Sequence, residues 1–234
     1  LIKSGALDSF GKTRKQQMLV YPVVLEEVNR ERKESISGQM SLFDFFSEEE
    51  KKEFASIIDN NTRLLLKLVN DVLELSRIES GNMSFHCEDC SAHHFAETVY
   101  QTHQVIILPP VEFIKEFPDE DVTIHIDRMR LTQVITNFLG NAKKFTSQGH
   151  IKLGYFCDKE KKEIHFFVED TGAGIPKEEL QMIFERFYKR NEFVQGVGLG
   201  LAISKVIVEK MNGHIDVQSE VNKGSRFTAV LPYL

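Results

Sequence analysis

The stretch NFLGNAKKF carries three polar residues at spacings that could bind a metal ion and phosphate. Asn137, Asn141 and Lys144 lie four and three residues apart, so on a helix they share one face. An amide oxygen can complete the shell of a Mg²⁺ that keeps most of its waters and its phosphate ligands. A lysine beside it would neutralise phosphate charge. The alternative is a helix whose polar residues face solvent.

A second candidate stretch, DTGAGI, follows a predicted strand. Asp170 ends that strand, so its carboxylate would point into the adjoining pocket. Gly172 and Gly174, followed by Ile175, would let backbone approach a planar ligand more closely than side chains allow. Asp and Gly also populate ordinary turns, so this stretch alone indicates either a turn or a binding loop.

Two further stretches follow in order. FERFYKR, residues 184–190, combines aromatic residues with three cations, one of which is Lys189. GVGLGLAI leads into a predicted helix and contains Gly196, Gly198, Leu199 and Gly200. Free N–H groups and the helix dipole favour an anion at such a helix start. Each stretch is ambiguous by itself, whereas their joint order is informative.

The elements around these stretches predict an α+β fold. Helical periodicity covers residues 47–81, HHFAETVYQTHQ, DRMRLTQVITNFLGNAKKF, PKEELQMIFERF with Pro176 in its first position, and GLGLAISKVIVEKM. Strand patterns cover VTIHI, GHIKLGYFCD, KEIHFFVED, GHIDVQSE and GSRFTAVLPYL. Hairpins mixed with helices predict a two-layer α/β sandwich with an antiparallel or mixed sheet.

The first of these helices is long and unusually apolar. SEEE predicts a capping box between Ser47 and Glu50, and Gly81 can take the left-handed cap. Apolar residues cover more than one face, as in a helical bundle or a dimer. We therefore expect a bundle helix at 47–81, a domain at 82–234 and a small helical N-terminal segment at 1–46.

Bulk composition narrows the function classes. A net charge of −6 over 234 residues leaves no excess positive charge, so we expect no nucleic-acid partner. Three cysteines cannot form a disulfide framework and indicate a reducing compartment. The longest apolar run, near QVIILPPV, is too short to span a bilayer. We expect a soluble cytoplasmic portion.

In their order, the four stretches resemble the motifs of the catalytic, ATP-binding domain of bacterial sensor histidine kinases. NFLGNAKKF resembles that family's N box, DTGAGI its first glycine box, FERFYKR its F box and GVGLGLAI its second glycine box. The resemblance covers about residues 55–234. It implies the fold of the histidine kinase, gyrase and heat-shock-protein ATPases. It also implies that the long helix is the second helix of a dimerisation and phosphotransfer hairpin.

The resemblance also implies the roles of individual residues. Asp170 would accept a hydrogen bond from the adenine amino group, Asn141 would hold Mg²⁺, Lys144 would meet phosphate and Phe145 would line the adenine pocket. Gly196, Gly198 and Gly200 would cradle the triphosphate, and residues 187–197 or so would form a mobile ATP lid. A response regulator receiver domain would be a partner, residues 50–80 would form a homodimer, and the parent kinase would be anchored in a membrane.

ATPases of the gyrase and heat-shock class are the alternative within this fold. Those enzymes use a Glu one helical turn before the Mg²⁺ asparagine to activate water. Asn137 stands there and cannot act as a general base, which favours phosphoryl transfer over hydrolysis. The family's acceptor histidine, in a context like H-E-[LIF]-R-T-P, is not found, since His86 is the first of eight histidines. Autophosphorylation at the usual residue is therefore not expected.

The N-terminal segment has a different resemblance. LIKSGALDSFGKTRKQQ and GQMSLFDFF resemble a segment of the catalytic alpha subunit of bacterial replicative DNA polymerase. Gln39, Leu42 and Phe43 look like its motif for docking on the sliding clamp, with one amide anchor and an apolar pair. The alternative is a short amphipathic segment that packs on its own domain. We expect a chimera joined between about 46 and 56, and a clamp-binding interaction protein is the alternative function.

A zinc site is a further alternative. Cys87, Cys90, His93 and His94 lie at spacings that zinc could use. The stretch spans a predicted strand end and helix start, however, and the kinase family shows no metal there. We therefore expect no zinc at these residues.

Overall fold

The computed structural model describes residues 46–189 and 197–233. They fall into two compact units that divide after Arg63. The predicted clamp motif at Gln39, Leu42 and Phe43 lies outside the described residues, and so does Gly196.

Helix α1 runs over Glu48–Glu79 and spans the division between the two units. The predicted capping box is confirmed, since Ser47 N donates to Glu50 Oε2 at 2.9 Å and Glu50 N donates to Ser47 Oγ at 3.2 Å. Gly81 takes the predicted left-handed conformation, with φ of 69°. Neither α1 nor another helix in the described ranges is long and apolar enough to cross a membrane.

The second unit continues through ten helices and strands. In chain order they are β1 Glu88–Ser91, α2 Ala92–Gln104, β2 Val111–Glu116, β3 Thr123–Ile126, α3 Arg128–Phe145, β4 Gly149–Asp158, β5 Glu163–Asp170, α4 Gly200–Lys210, β6 His214–Glu220 and β7 Gly224–Pro232. Two short 3₁₀ helices, Lys177–Glu179 and Met182–Phe184, lie between β5 and α4.

Five strands form one mixed sheet in the order β2-β4-β5-β7-β6. Strand β2 is parallel to β4, and the other neighbours are antiparallel. Strands β1 and β3 form a separate antiparallel pair. Alternate residues of β5, Ile164, Phe166 and Val168, join buried residues of α2, α3 and α4 in one core. The predicted α+β sandwich is confirmed.

Helix α3 is positioned by its cap and its apolar stripe. The buried Asp127 side chain accepts from Arg130 N at 3.0 Å and from His86 N at 2.8 Å. Six residues face the core: Leu131, Val134, Ile135, Phe138, Leu139 and Ala142. Because that stripe is fixed, the polar residues between its members are presented away from the core.

Two features differ from the sequence-based expectations. PKEELQMIFERF forms the two 3₁₀ helices instead of one helix, and Pro176 precedes the first of them as its N-cap. Neither short helix has a fully buried residue, and Ile183 packs only partly against the core, so a longer helix there would gain little from burial. Strand β2 was not predicted, because its register with β4 is a long-range pairing without a local signal.

Candidate functional site

Asp170 is a buried carboxylate at the end of β5. It is 7% exposed and lies between Ile151 of β4 and Ser225 of β7. Its Oδ1 accepts from Gly172 N at 2.8 Å and from the Thr146 hydroxyl at 3.5 Å. A carboxylate with so little access to water gains strongly from a further donor, such as the N–H of a bound ligand.

Burial sets the electrostatics of Asp170. Loss of hydration raises the pKa of this carboxyl, and hydrogen bonds from Gly172, Ser225 and Thr146 oppose the rise. The adjacent Glu169 raises the pKa further. The fold therefore keeps an acid in a place where its ionised form is poorly solvated, which is a common property of ligand-binding carboxylates.

Gly172 lets the first glycine box rest on the end of α3. A Cβ there would overlap the Phe145 carbonyl oxygen and would lie 2.8 Å from Thr146 Oγ1. Ala173 N donates to the same Phe145 carbonyl at 3.2 Å. These contacts place Asp170 beside the last turn of α3, where Lys144 and Phe145 lie.

Gly174 lets the same loop dock on the turn between β6 and β7. Its φ is 65°, and a Cβ would overlap the Glu220 carbonyl oxygen. Asn222 N donates to Ala173 O at 2.8 Å, and Ile175 N donates to Ser219 Oγ at 2.7 Å. The interpretation from sequence was that Gly172 and Gly174 allow a ligand to approach the backbone. The structure adds another reason, which is that the protein's own backbone fills the space.

Asn137 faces the start of α4. Its Nδ2 donates to Oγ of the buried Ser204 at 3.1 Å, and a Cβ on Gly200 would overlap its side chain. Leu199, the N-cap of α4, provides no side-chain hydrogen bond. The first-turn N–H groups of a helix lack intrahelical acceptors, so this end favours an anion. Asn137 therefore lies beside the start of α4, whereas Asn141 and Lys144 lie in the last two turns of α3.

Positive charge converges near the end of α3. Partial burial lowers the pKa of Lys144, and repulsion from Lys189 and Lys67 lowers it further. Lys144 Nζ lies 5.1 Å from the centre of the exposed Phe145 ring. Ammonium groups that repel each other in the free protein would be stabilised by a polyanion between them.

The F box meets the second glycine box. Phe187 has φ of 63°, and its N donates to Gly198 O at 2.9 Å. Gly198 has φ of 79°, and a Cβ there would lie 2.7 Å from the Tyr188 carbonyl oxygen. These contacts bring the end of FERFYKR against the residues that precede α4. The predicted lid at 187–197 stays a prediction, since most of it lies outside the described residues.

Sequence reasoning missed two polar neighbours of Asp170. Thr146 is buried and directly follows Phe145, so its position after the Lys–Phe pair was the available signal. Ser225 becomes a neighbour only through the pairing of β5 with β7. Among the residues brought together are Gly172 with Phe145, Gly200 with Asn137, and Lys144 with Lys189.

The cysteine and histidine residues weighed for zinc lie around β1 and the start of α2. Cys87 is exposed, and Cys90 lies in β1. The His93 ring packs edge-on against Phe117 and Tyr155, with centroids 5.7 and 6.4 Å away. His93 is thus used in aromatic packing.

Comparisons with known proteins agree with this geometry. Residues 126–234 match the family described as "Histidine kinase-, DNA gyrase B-, and HSP90-like ATPase". Sensor histidine kinase WalK of Bacillus subtilis is 34% identical over 185 residues, covering 77% of this chain and 30% of WalK. Histidine kinase 5 of Arabidopsis thaliana is 30% identical over 244 residues, covering 90% of this chain and 26% of that protein.

A solved structure gives the same result. The crystal structure of full-length ShkA in complex with AMPPNP matches with a TM-score of 0.69 and 29% identity, over 79% of this chain and 39% of that chain. Residues 126–234 therefore match the ATPase family named above, and most of the chain is similar to the catalytic part of sensor histidine kinases. It spans less than a third of either curated relative.

Replacing Gly174 should damage the site through the fold. Gly174→Ala places a side chain at positive φ against the Glu220 carbonyl, so we expect a loss of about 2–3 kcal/mol in unfolding free energy. Gly140→Ala is the matched control, because that exposed glycine lies within α3 with open space around it. It should stabilise by about 0.5–1 kcal/mol. Equal effects in urea unfolding would contradict the packing role of Gly174.

Removing the charge of Asp170 should not cost stability at neutral pH. A raised pKa means that the folded protein holds this proton more tightly than the unfolded chain does. The buried charge therefore lowers the free energy of unfolding at pH values above the raised pKa. This cost decreases as the pH falls through the raised pKa, and it is absent below the ordinary value of 3.8. The free energy of unfolding of Asp170→Asn, measured with urea at neutral pH, should equal or exceed that of the wild type. The difference should shrink in acid. A variant that is less stable by the same amount at every pH would contradict this.

Proposed function

We propose that this chain binds Mg²⁺-ATP between α3, the end of β5 and the start of α4. In this proposal it transfers the γ-phosphoryl group to a histidine supplied from outside this sequence. The observation that carries the proposal is the buried Asp170 carboxylate, held beside the last turn of α3 by Gly172 and Thr146. A buried carboxylate next to a cluster of lysines suits a ligand that has a hydrogen-bond donor at one end and phosphates at the other.

The adenine end would lie at Asp170. Its carboxylate would accept from the adenine amino group, and the exposed Phe145 ring would cover one side of the base. Gly172, Gly174 and Ile175 would form the opposite wall. Their docking on α3 and on the β6–β7 turn supports this, because a rigid loop fixes the carboxylate before the ligand arrives.

The phosphate end would lie at the start of α4. Gly198, Leu199 and Gly200 would present backbone N–H groups, with Gly196 continuing them in the part of the chain outside the described residues. Lys144 and Lys189 would neutralise phosphate charge. The repulsion between these lysines supports that role, since a bound anion would relieve it.

Asn141 would hold the Mg²⁺. The neighbouring Asn137 amide is engaged by Ser204 and packs on Gly200, which leaves Asn141 as the amide nearer to Lys144 on the same face. One protein oxygen fits a Mg²⁺ that takes its remaining ligands from water and phosphate. The ion would supply charge neutralisation at the phosphates.

Phosphoryl transfer is favoured over hydrolysis by Asn137. Its amide cannot accept a proton, so it cannot activate water as a carboxylate would. Positioning and charge neutralisation remain, and these suffice for transfer to a separate nucleophile. The sequence has no histidine before His86. We therefore place the acceptor outside this sequence, and a response regulator receiver domain would receive the phosphoryl group next, in the cytoplasm.

Titration of the chain with a non-hydrolysable ATP analogue, in the presence of Mg²⁺, tests the phosphate end of the proposed site. We expect Lys144→Ala to bind at least about tenfold more weakly, which corresponds to the loss of one charge-assisted contact. Lys143→Ala is the matched control, because it removes an equal charge one position away on the exposed surface of α3. Equal losses in both variants would show a general charge effect and contradict a specific phosphate contact.

Helix α1 is proposed as a dimer interface. It exposes a set of apolar side chains over 38–61% of their area, namely Ile58, Leu65, Leu66, Leu68, Val69, Val72 and Leu73. So much apolar surface on one helix favours burial against a second copy. Val69→Glu should shift the chain towards monomer in light scattering, whereas Arg63→Glu on the exposed polar surface should not. A wild-type monomer at all concentrations would contradict the proposal.

The N-terminal segment keeps a second candidate function. Gln39, Leu42 and Phe43 form the clamp-like motif, which we propose as a docking segment on a DNA sliding clamp. The Arabidopsis similarity covers 90% of the chain, whereas residues 47–234 make up about 80%, so the aligned region reaches into the first 46 residues. That extent favours kinase origin for part of the segment. A clamp pull-down unchanged by Leu42→Ala with Phe43→Ala would dismiss docking.

A further inference from the structure

The β4–β5 hairpin gathers three metal-ligating side chains at the end of the sheet remote from Asp170. Asp158 ends β4, Glu163 begins β5, and the two residues are paired across the hairpin. His165 lies two residues further along β5, on the same face as Glu163. The ligand atoms of these three residues all lie within 4.8 Å of one another.

His165 is held as a metal ligand would be held. Its ring stacks on Phe156 of the neighbouring strand, with centroids 4.5 Å apart and planes 14° apart. The side chain is 14% exposed, and Nε2 is fully buried without a hydrogen-bond partner among the described residues. Glu163 Oε2 lies 3.5 Å from Nε2 without forming that bond. A buried ring nitrogen without a partner is costly, and a metal ion would satisfy it.

The charges of the hairpin also favour a cation. Two carboxylates directly opposite each other on neighbouring strands repel. Asp158 Oδ1 accepts from the backbone N–H groups of Glu160 and Lys161, both at 3.1 Å, which fixes the carboxylate. Lys161 Nζ reaches Asp158 Oδ2 only at 3.6 Å, and its side chain is 68% exposed. The local cation is therefore loosely held and displaceable.

We propose that Asp158, Glu163 and His165 form a site for a divalent transition-metal ion of the zinc class. One imidazole nitrogen and two carboxylate oxygens match the ligands that zinc accepts, with water completing the shell. The site joins β4 to β5 across their hairpin and is distinct from the nucleotide site. Seven residue steps of β5 separate Glu163 from Asp170, about 23 Å at 3.3 Å a step, and His165 lies on the opposite sheet face from Asp170.

Calorimetric titration of the chain with Zn²⁺ alone, without nucleotide, tests the site. We expect one equivalent to bind, with affinity at least tenfold weaker in His165→Gln and in Asp158→Asn. His214→Gln is the matched control, because that histidine lies on the same sheet face, 57% exposed, beside Asp216 at 3.6 Å. It should bind zinc as the wild type does. Two variants keep the test valid if one of them fails to fold.

Three outcomes would overturn the proposal. They are no saturable zinc binding by the wild type, unchanged affinity in both site variants, and loss of binding in Cys87→Ser or Cys90→Ser instead. The last outcome would place zinc at the thiols near β1. Titration of the same variants with the ATP analogue serves as a fold control, and it keeps a failure of the metal site separate from a failure of the nucleotide site.

Discussion

Burial of the Asp170 carboxylate is the constraint on which the proposed nucleotide site depends. The fold removes most of its water and raises its pKa, and only a few hydrogen bonds compensate. Each of these bonds comes from a different element: Gly172 from the loop after β5, Thr146 from the end of α3, and Ser225 from β7. The carboxylate can therefore exist in this place only when the three elements are assembled.

Close approach of backbone to backbone achieves that assembly. A Cβ on Gly224 would overlap the Asp170 carbonyl oxygen, and one on Gly172 would overlap the Phe145 carbonyl. Gly200 likewise lets α4 approach α3, but there a Cβ would overlap the Asn137 side chain and not backbone. The glycines that look in sequence like ligand-binding positions are thus also the points where the parts of the site touch. A site assembled in this way is formed before the ligand binds, which lowers the entropic cost of binding.

The sequence predicted those parts of the fold that carry a local signal. Helix α3 and the β4–β5 hairpin follow from apolar periodicity and a charged turn, and the capping box at Ser47 follows from two residues three apart. Strand β2 was missed because parallel pairing with β4 depends on residues nearly forty positions away. The helix expected after Pro176 was wrong, since helical spacing without a buried face does not stabilise a helix.

The candidate site was predictable to a similar degree. The order of the four motifs indicated Asp170, Asn141 and Lys144 through a resemblance, and the structure brings their elements together. The contact of Asn137 with Ser204 and the bond from Thr146 to Asp170 were not predictable, because both depend on how helices and strands pack. The lysine cluster was not predictable for the same reason, since repulsion from Lys67 requires α1 to lie near the end of α3.

Discrimination between ATP and inosine triphosphate, measured by titration in the presence of Mg²⁺, tests the central claim most directly. Inosine triphosphate has the same phosphates but carries an oxygen where adenine carries its amino group. If Asp170 accepts from that amino group, the wild type should prefer ATP by at least about tenfold, since a buried carboxylate would otherwise face an acceptor. Asp170→Asn should lose most of the preference. Equal affinity of the wild type for the two nucleotides, or an unchanged preference in the variant, would contradict the assignment of Asp170 to the base.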